Sequence, residues 1–365
     1  MKKPTYLKNQ EDAEFFGELR KRVNARVAAI PENRDNLIKV KVFLLPVIYL
    51  SCYLVAIFNG DKPWLYLGCF ALMGIDLVLL YLNLIHEAAH NNIFKNRKYN
   101  KAVMMIFDFV GANSFIWERR HIVSHHAYPN VDGWDTDVEQ SGPILVYPHT
   151  EPKGIQKYQH WYFFLVYPLY LFNWMFIRDF RDFFDKRRII QKTQAKIPTI
   201  EKVKMIFFKL FYFFYQIGLP ILFLGVSWKL AVGAWFLQVL VASVFALVVL
   251  LPVHALESNE FPEMDAERNL PYSWLQHQFR VTNDIKENNS FIRYVMGNFN
   301  YHVAHHLFPN YSYEYYPEIT DEIRKFAEEK GLPYKQFPLR KALNLHYQLL
   351  KSNAIRVGEV LEESM

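Results

Sequence analysis

Apolar and polar residues alternate along this chain on the scale of whole helices. Four stretches are long and apolar enough to cross a bilayer as helix, which takes about 20 residues. They run roughly from Val42 to Phe58, Trp64 to Ile85, Met205 to Val226 and Leu230 to Val253. Asn59-Gly60-Asp61-Lys62-Pro63 joins the first two, and little more than Ser227-Trp228-Lys229 joins the last two. Each pair therefore predicts a helical hairpin. Two further apolar stretches fit less well. Trp161 to Ile177 would, as a span, put an odd number of crossings between the central loop and the residues after 254. Ala102 to Ile116 is interrupted by Asp108, Gly111 and Asn113. Both are expected to lie in the interface as amphipathic or re-entrant helices. After Val253 the chain turns polar, and Pro317 to Lys330 and Pro338 to Ser352 read as surface helices split by Gly331 and Pro333.

Composition and charge refine this picture. A hydrophobic fraction of 52% with 17% aromatics leans towards lipid. Mean hydropathy is only −0.05, so a sizeable water-facing part must accompany the spans. The net charge of +6 could suggest nucleic acid. The basic residues instead cluster beside apolar segments, as membrane-facing loops do, and no nucleic-acid partner is expected. The N-terminal segment is rich in Lys and Arg, and so is the stretch from Arg178 to Lys204, with Arg181, Lys186, Arg187, Arg188, Lys192 and Lys196. The two short turns hold one lysine each, Lys62 and Lys229. Both termini and the long central loop are thus expected on the cytoplasmic side. Cys52 and Cys69 lie in apolar runs and read as small core residues. The first 37 residues lack the apolar core and small-residue site of a cleaved secretory signal. The expected organisation is an N-terminal segment 1–41, a main domain 42–351 and a tail 352–365. Within the domain, 86–204 and 254–351 are expected outside the spans.

Nine of the 13 histidines fall into a pattern. His86 and His90 follow the second span, His121, His125 and His126 lie in the central loop, and His302, His305 and His306 follow the fourth span. His254 sits at that span's end, where alone it would read as a boundary histidine. Imidazoles four apart on a helix point the same way, so His86/His90 and His121/His125 form pincers. The tandem histidines offer a second direction. Nine imidazoles exceed the four to six ligands one ion takes and suit two metals, whose identity ligand type alone does not name. His86-Glu87-Ala88-Ala89-His90 alone also matches the zinc metalloprotease signature, with Glu87 as general base. A zinc protease would not need six further histidines in two similar clusters. A histidine-lined metal transporter would place its ligands near mid-bilayer, whereas these stand at helix exits. His149, His160, His277 and His346 are each isolated and read as surface or boundary residues.

These clusters resemble the three histidine boxes of the membrane fatty acid desaturase family: His-x(3–4)-His, His-x(2–3)-His-His, and His or Gln-x(2–3)-His-His. The flanks are similar too. His125-His126-Ala127-Tyr128-Pro129-Asn130 leads to Gly133-Trp134-Asp135-Thr136-Asp137, and Asn300-Tyr301-His302-Val303-Ala304-His305-His306-Leu307-Phe308-Pro309-Asn310 is close to the third box of front-end and bacterial acyl-chain desaturases. The likeness covers about residues 40 to 351. It implies an all-α membrane protein of four transmembrane helices in two hairpins, with a cytoplasmic helical cap holding a di-metal site. It implies two non-haem irons on His86, His90, His121, His125, His126, His302, His305 and His306. His254 matches the position where relatives place a further ligand or a residue holding a metal-bound water. Two departures stand out. His302 occupies a position where many front-end relatives have Gln, which puts regioselectivity in doubt. No His-Pro-Gly-Gly haem motif occurs, so electrons are expected from a separate cytochrome b5 or ferredoxin.

The implied reaction uses O2 and two electrons to remove two hydrogens from adjacent methylenes of a fatty acyl substrate, carried on coenzyme A or in a membrane lipid. Such C–H bonds are beyond acid–base chemistry, so the metal cofactor carries the hard step. The protein must aim one methylene pair and exclude water. Each CH2 adds about 0.8 kcal/mol of binding without fixing register, so the head group must anchor at the rim. Glu87, Asn130, Asp135 and Asp137 are expected to orient imidazoles through their far ring nitrogens, the competing reading being capping and turn chemistry around Gly133. A related di-iron hydroxylase or ketolase is the nearest alternative.

Overall fold

The computed structural model describes residues 2–31, 36–139, 142–193 and 197–355. Lys196 of the basic run and residues 356–365 of the tail lie outside the described residues. The protein is mostly helical and divides into two units. One comprises residues 35–119 and 167–247, the other residues 1–34, 120–166 and 248–365.

The first unit contains the apolar helices. Among the described residues, four helices are long and apolar enough to cross a membrane: Asn36–Ile57, Pro63–Ala89, Thr199–Leu224 and Trp228–Val253. They match the four expected stretches to within a few residues at most ends, but the second runs on through His86. The second and fourth are the more buried pair. The first and third instead turn Phe43, Val47, Leu50, Phe207, Leu210 and Leu222 outwards. Apolar side chains all round a helix suit lipid as the surrounding medium.

Polar side chains tie these helices together where hydrocarbon offers no competing water. The Tyr49 hydroxyl accepts from Gln216 Nε2 at 2.8 Å and from Gln238 Nε2 at 2.9 Å, linking the first, third and fourth helices. Lys41 donates to Asn83 Oδ1 at 2.7 Å, linking the first and second. Gly74 is a close approach of the second helix to the fourth: a Cβ there would stand 2.5 Å from the Gln238 carbonyl oxygen. The two short turns also meet, since a Cβ on Gly60 would stand 2.6 Å from Val226 Cγ2. An apolar cavity of about 420 Å³ lies among Tyr49, Leu50, Tyr53, Leu80, Ile106 and Phe211.

The two doubtful stretches are both broken. Over 161–177 an α-helix, Gln159–Val166, gives way to a 3-10 turn at Tyr167–Leu169, then to Tyr170–Asn173 and a π turn at Trp174–Arg178. Pro168 removes a backbone donor and cannot continue the α ladder. Over 102–116 the amphipathic helix Arg97–Phe109 ends before Gly111, whose φ of +87° only glycine adopts readily.

The second unit is built on helices Gln10–Ala28 and Tyr316–Lys330, which pack on each other. Asn9 caps the first through Asp12 N–H at 3.2 Å, and Gly331 ends the second in the left-handed region at φ +66°. Helix Leu339–Ala354 packs on Gln159–Val166. The strand Asp284–Ile285 pairs in parallel with Gln336–Phe337 and leads towards the third histidine cluster.

Candidate metal centre

The first histidine pair belongs to the unit of apolar helices. His86 opens a short α-turn, His86–Ala89, after a π turn at Tyr81–Ile85. Its ring lies 5.2 Å from that of His90. Glu87 is buried, with Oε1 3.5 Å from His86 Nδ1 and Oε2 3.4 Å from Asn92 Nδ2.

The other seven histidines all lie in the second unit. His121 and His125 were expected on an α-helix, but Arg119–His125 is π-helical. The wider turn matters: the His126 N–H donates to the His121 carbonyl at 2.9 Å, and the Nε2 atoms of this i, i+5 pair lie 3.1 Å apart. A π turn aligns residues five apart as well as four, so all three histidines face inwards. The third cluster is α-helical, over His302–Leu307. There Asp284 Oδ1 accepts from the Val303 N–H at 2.7 Å and satisfies the helix start.

Two ligand groups form within this unit. One nitrogen each of His125, His254, His302 and His306 lies within 4.8 Å of the others, and so does one each of His126, His305 and His306. His254 Nε2 stands 2.8 Å from His302 Nε2 and 3.0 Å from His306 Nε2. On four of the rings the far nitrogen is engaged elsewhere. His121 Nδ1 meets Asp137 Oδ2 at 3.0 Å, His125 Nδ1 meets both oxygens of Asp135 at 3.0 Å, His306 Nδ1 meets Gln278 Oε1 at 3.1 Å, and His305 Nδ1 meets the Tyr316 hydroxyl at 3.1 Å.

Electrostatics favours neutral rings at His254 and His306. Burial, reinforced by His125, pushes the His254 pKa down to about 3. Burial and four neighbouring imidazoles hold His306 well below its ordinary value. For His125 burial acts in the same direction, but Asp135 outweighs it and the pKa rises. Asp135 itself is held below the usual carboxylate range: burial opposes that shift, and His125 drives it.

These residues fit a metal. His306 donates its Nδ1 proton to Gln278, which leaves a lone pair on Nε2. A single proton on His254 Nε2 cannot serve both its neighbours, whereas a cation among the three accepts every lone pair. The donor set is all imidazole, which suits iron, zinc, copper or nickel.

The hydrogen bonds of Asn130 run to a carboxylate and to backbone carbonyls rather than to an imidazole. Its backbone sits at φ +58°, its N–H donates to Asp135 Oδ2 at 2.8 Å, and its Nδ2 reaches the carbonyls of His254, Glu260 and Val281 at 3.0–3.3 Å. It therefore pins three segments around the site, where the sequence suggested a direct hold on a ring. Three of the histidines read as surface or boundary residues, His160, His277 and His346, are buried. His277 Nε2 bonds the Pro129 carbonyl at 2.8 Å and His346 Nδ1 that of Ala255 at 2.7 Å. His149 stays half exposed, beside the Phe261 carbonyl. Gln278 and Tyr316 were not among the expected site residues. They lie outside the boxes, and no spacing connects them to one.

The fatty acid desaturase family model matches residues 61–338. An sn-1 linoleoyl-lipid 6-desaturase of a Synechocystis species is 33% identical over 278 residues, 76% of each chain. Its counterpart from Arthrospira platensis is 29% identical over 93% of both chains. An acyl-lipid (8-3)-desaturase of Physcomitrium patens is 28% identical over 93% of this chain and 72% of its own. A membrane oxidoreductase with histidine-box chemistry is the class that fold and site define. The chain belongs to the fatty acid desaturase family, and it is a fatty acid desaturase.

Proposed function

We propose that this enzyme introduces a double bond into an acyl chain carried on a membrane lipid, using two irons held by His86, His90, His121, His125, His126, His254, His302, His305 and His306. The observation that carries the reading is the convergence of the His254, His302 and His306 Nε2 atoms within 3.0 Å of their neighbours while the His306 Nδ1 proton is committed to Gln278. The acyl-lipid substrate is supported by relatives named for acyl-lipid substrates. Two bound irons, with dioxygen and two electrons from a separate carrier protein, supply the oxidising power to remove two hydrogens from unactivated methylenes.

The chain's own residues do the rest. Asp135, Asp137 and Gln278, whose oxygens can only accept, hold the Nδ1 protons of three rings, which fixes their tautomer and turns Nε2 inwards, and the Tyr316 hydroxyl bonds the Nδ1 of a fourth. Burial of His121, His125, His254, His302, His305 and His306 keeps water off the reacting carbons. Asn130 and Asp284 hold the segments that carry the rings.

The four apolar helices are proposed as two hairpins, with both termini, residues 86–204 and 254–351 on the cytoplasmic side and Lys62 opposite. The support is the basic run after Arg178 against single lysines in the short turns. Accessibility tags after residues 130 and 330 that report different sides would refute this arrangement.

Lipid profiling of a desaturase-free host expressing the chain tests the function. New double bonds should appear first in intact membrane lipids after a pulse of labelled acyl chains. Hydroxylated chains without new double bonds, or new bonds appearing first in the coenzyme A pool, would overturn the reaction or the carrier respectively.

A further inference from the structure

The four oxygen partners behind the ring nitrogens are of two kinds. His121 and His125 of the central-loop cluster face the carboxylates of Asp137 and Asp135. His305 and His306 of the third cluster face neutral oxygens, the Tyr316 hydroxyl and the Gln278 amide. We infer that this division sets ligand strength: Gln278 and Tyr316 are positioning residues that keep the third-cluster imidazoles the weaker donors.

The chemistry is that of a polarised imidazole. An Nδ1–H donated to a carboxylate shifts the ring towards imidazolate and makes Nε2 a stronger base and a tighter ligand. Donated to an amide or phenol oxygen, the same proton leaves an ordinary imidazole. The metal then keeps more of its positive charge and is easier to reduce.

Nothing in the geometry forces a neutral group at position 278. Gln278 is fully buried on helix Trp274–Val281, and a glutamate of the same shape would place an oxygen at the same 3.1 Å. The neutral side chain also limits buried negative charge, since further carboxylates among these rings would each carry a desolvation penalty. Tyr316 stands at the start of helix Tyr316–Lys330, with its ring 6.1 Å from that of His305. The helix that packs on Gln10–Ala28 thus reaches the centre through one hydroxyl.

The inference rests on the histidines being iron ligands, and the test separates the two. Full-length enzyme carrying Gln278→Glu, Gln278→Leu, Tyr316→Phe or His306→Ala is loaded with iron, and chelator-driven iron loss and midpoint reduction potential are measured. Gln278→Glu should hold iron about 10-fold more tightly or better and lower the potential. Gln278→Leu and Tyr316→Phe should lose iron about 10–100-fold faster and raise it. If Gln278→Glu does not fold, Tyr316→Phe decides, because it removes one oxygen and keeps the ring. Unchanged iron retention and potential in the variants that fold, with His306→Ala losing iron, would overturn the inference alone. Full iron retention in His306→Ala would overturn the ligand reading beneath it.

Discussion

Both carboxylate oxygens of Asp135 lie 3.0 Å from the Nδ1 of His125. The same carboxylate accepts from the backbone N–H groups of Asn130 at 2.8 Å, Asp137 at 2.9 Å and Val138 at 3.1 Å. One buried side chain therefore folds the loop after the second box and aims a ring of that box. Turn chemistry and imidazole orientation, which compete as readings of the sequence, are here the same set of hydrogen bonds.

Asp135→Asn keeps the shape but turns an NH2 group towards backbone donors and removes the charge behind His125. Iron affinity should fall about 10–100-fold in chelator competition. Asp137→Asn should cost less, because Asp137 is partly solvent-accessible.

Glu87 separates this enzyme from a zinc hydrolase. Its carboxylate sits 3.5 Å from His86 Nδ1, beside the ring it is proposed to support. Glu87→Gln should retain iron and make measurable double bonds at a reduced rate. In a zinc protease the same change removes the base and abolishes turnover. Complete inactivity at full metal occupancy would contradict the supporting role.

The Gly74 contact predicts a stability difference between two glycines of one helix. Gly74→Ala drives a methyl into the Gln238 carbonyl and should destabilise by about 1–3 kcal/mol. Gly68→Ala meets nothing within 4 Å and should be neutral or mildly stabilising. Thermal unfolding in detergent measures both.

Buried histidines outside the centre predict the acid limb of stability. Burial lowers the pKa of His277 to about 4 and that of His346 to about 4. An unfolded chain takes up these protons near pH 6.5 and the folded one only near pH 4. Their contribution is therefore full above pH 6.5 and is lost as pH falls towards 4. The variants His277→Gln and His346→Asn, which can keep each bond to a carbonyl, should flatten that decline in denaturant titrations at stepped pH.

Much of this was legible in the sequence. Hydropathy is a property of composition over 20 residues, so the four apolar helices and the two surface helices near the C-terminus emerged close to their observed bounds. The boxes were visible because their histidines recur at short spacings. The π turn at Arg119–His125 was not, since no local propensity separates it from an α turn. Gln278 and Tyr316 reach the rings through the tertiary fold, 28 and 11 residues from their partners. The burial of His160, His277 and His346 is equally tertiary, because isolated polar residues carry no periodicity. The break in 161–177 had a signal in Pro168, which was readable as an interruption of any helix there.

Metal quantification of purified, iron-replete enzyme decides whether the histidine centre holds iron. About two irons per chain are expected, on nine histidines shared at four to six ligands each. Stoichiometric zinc with negligible iron would contradict this.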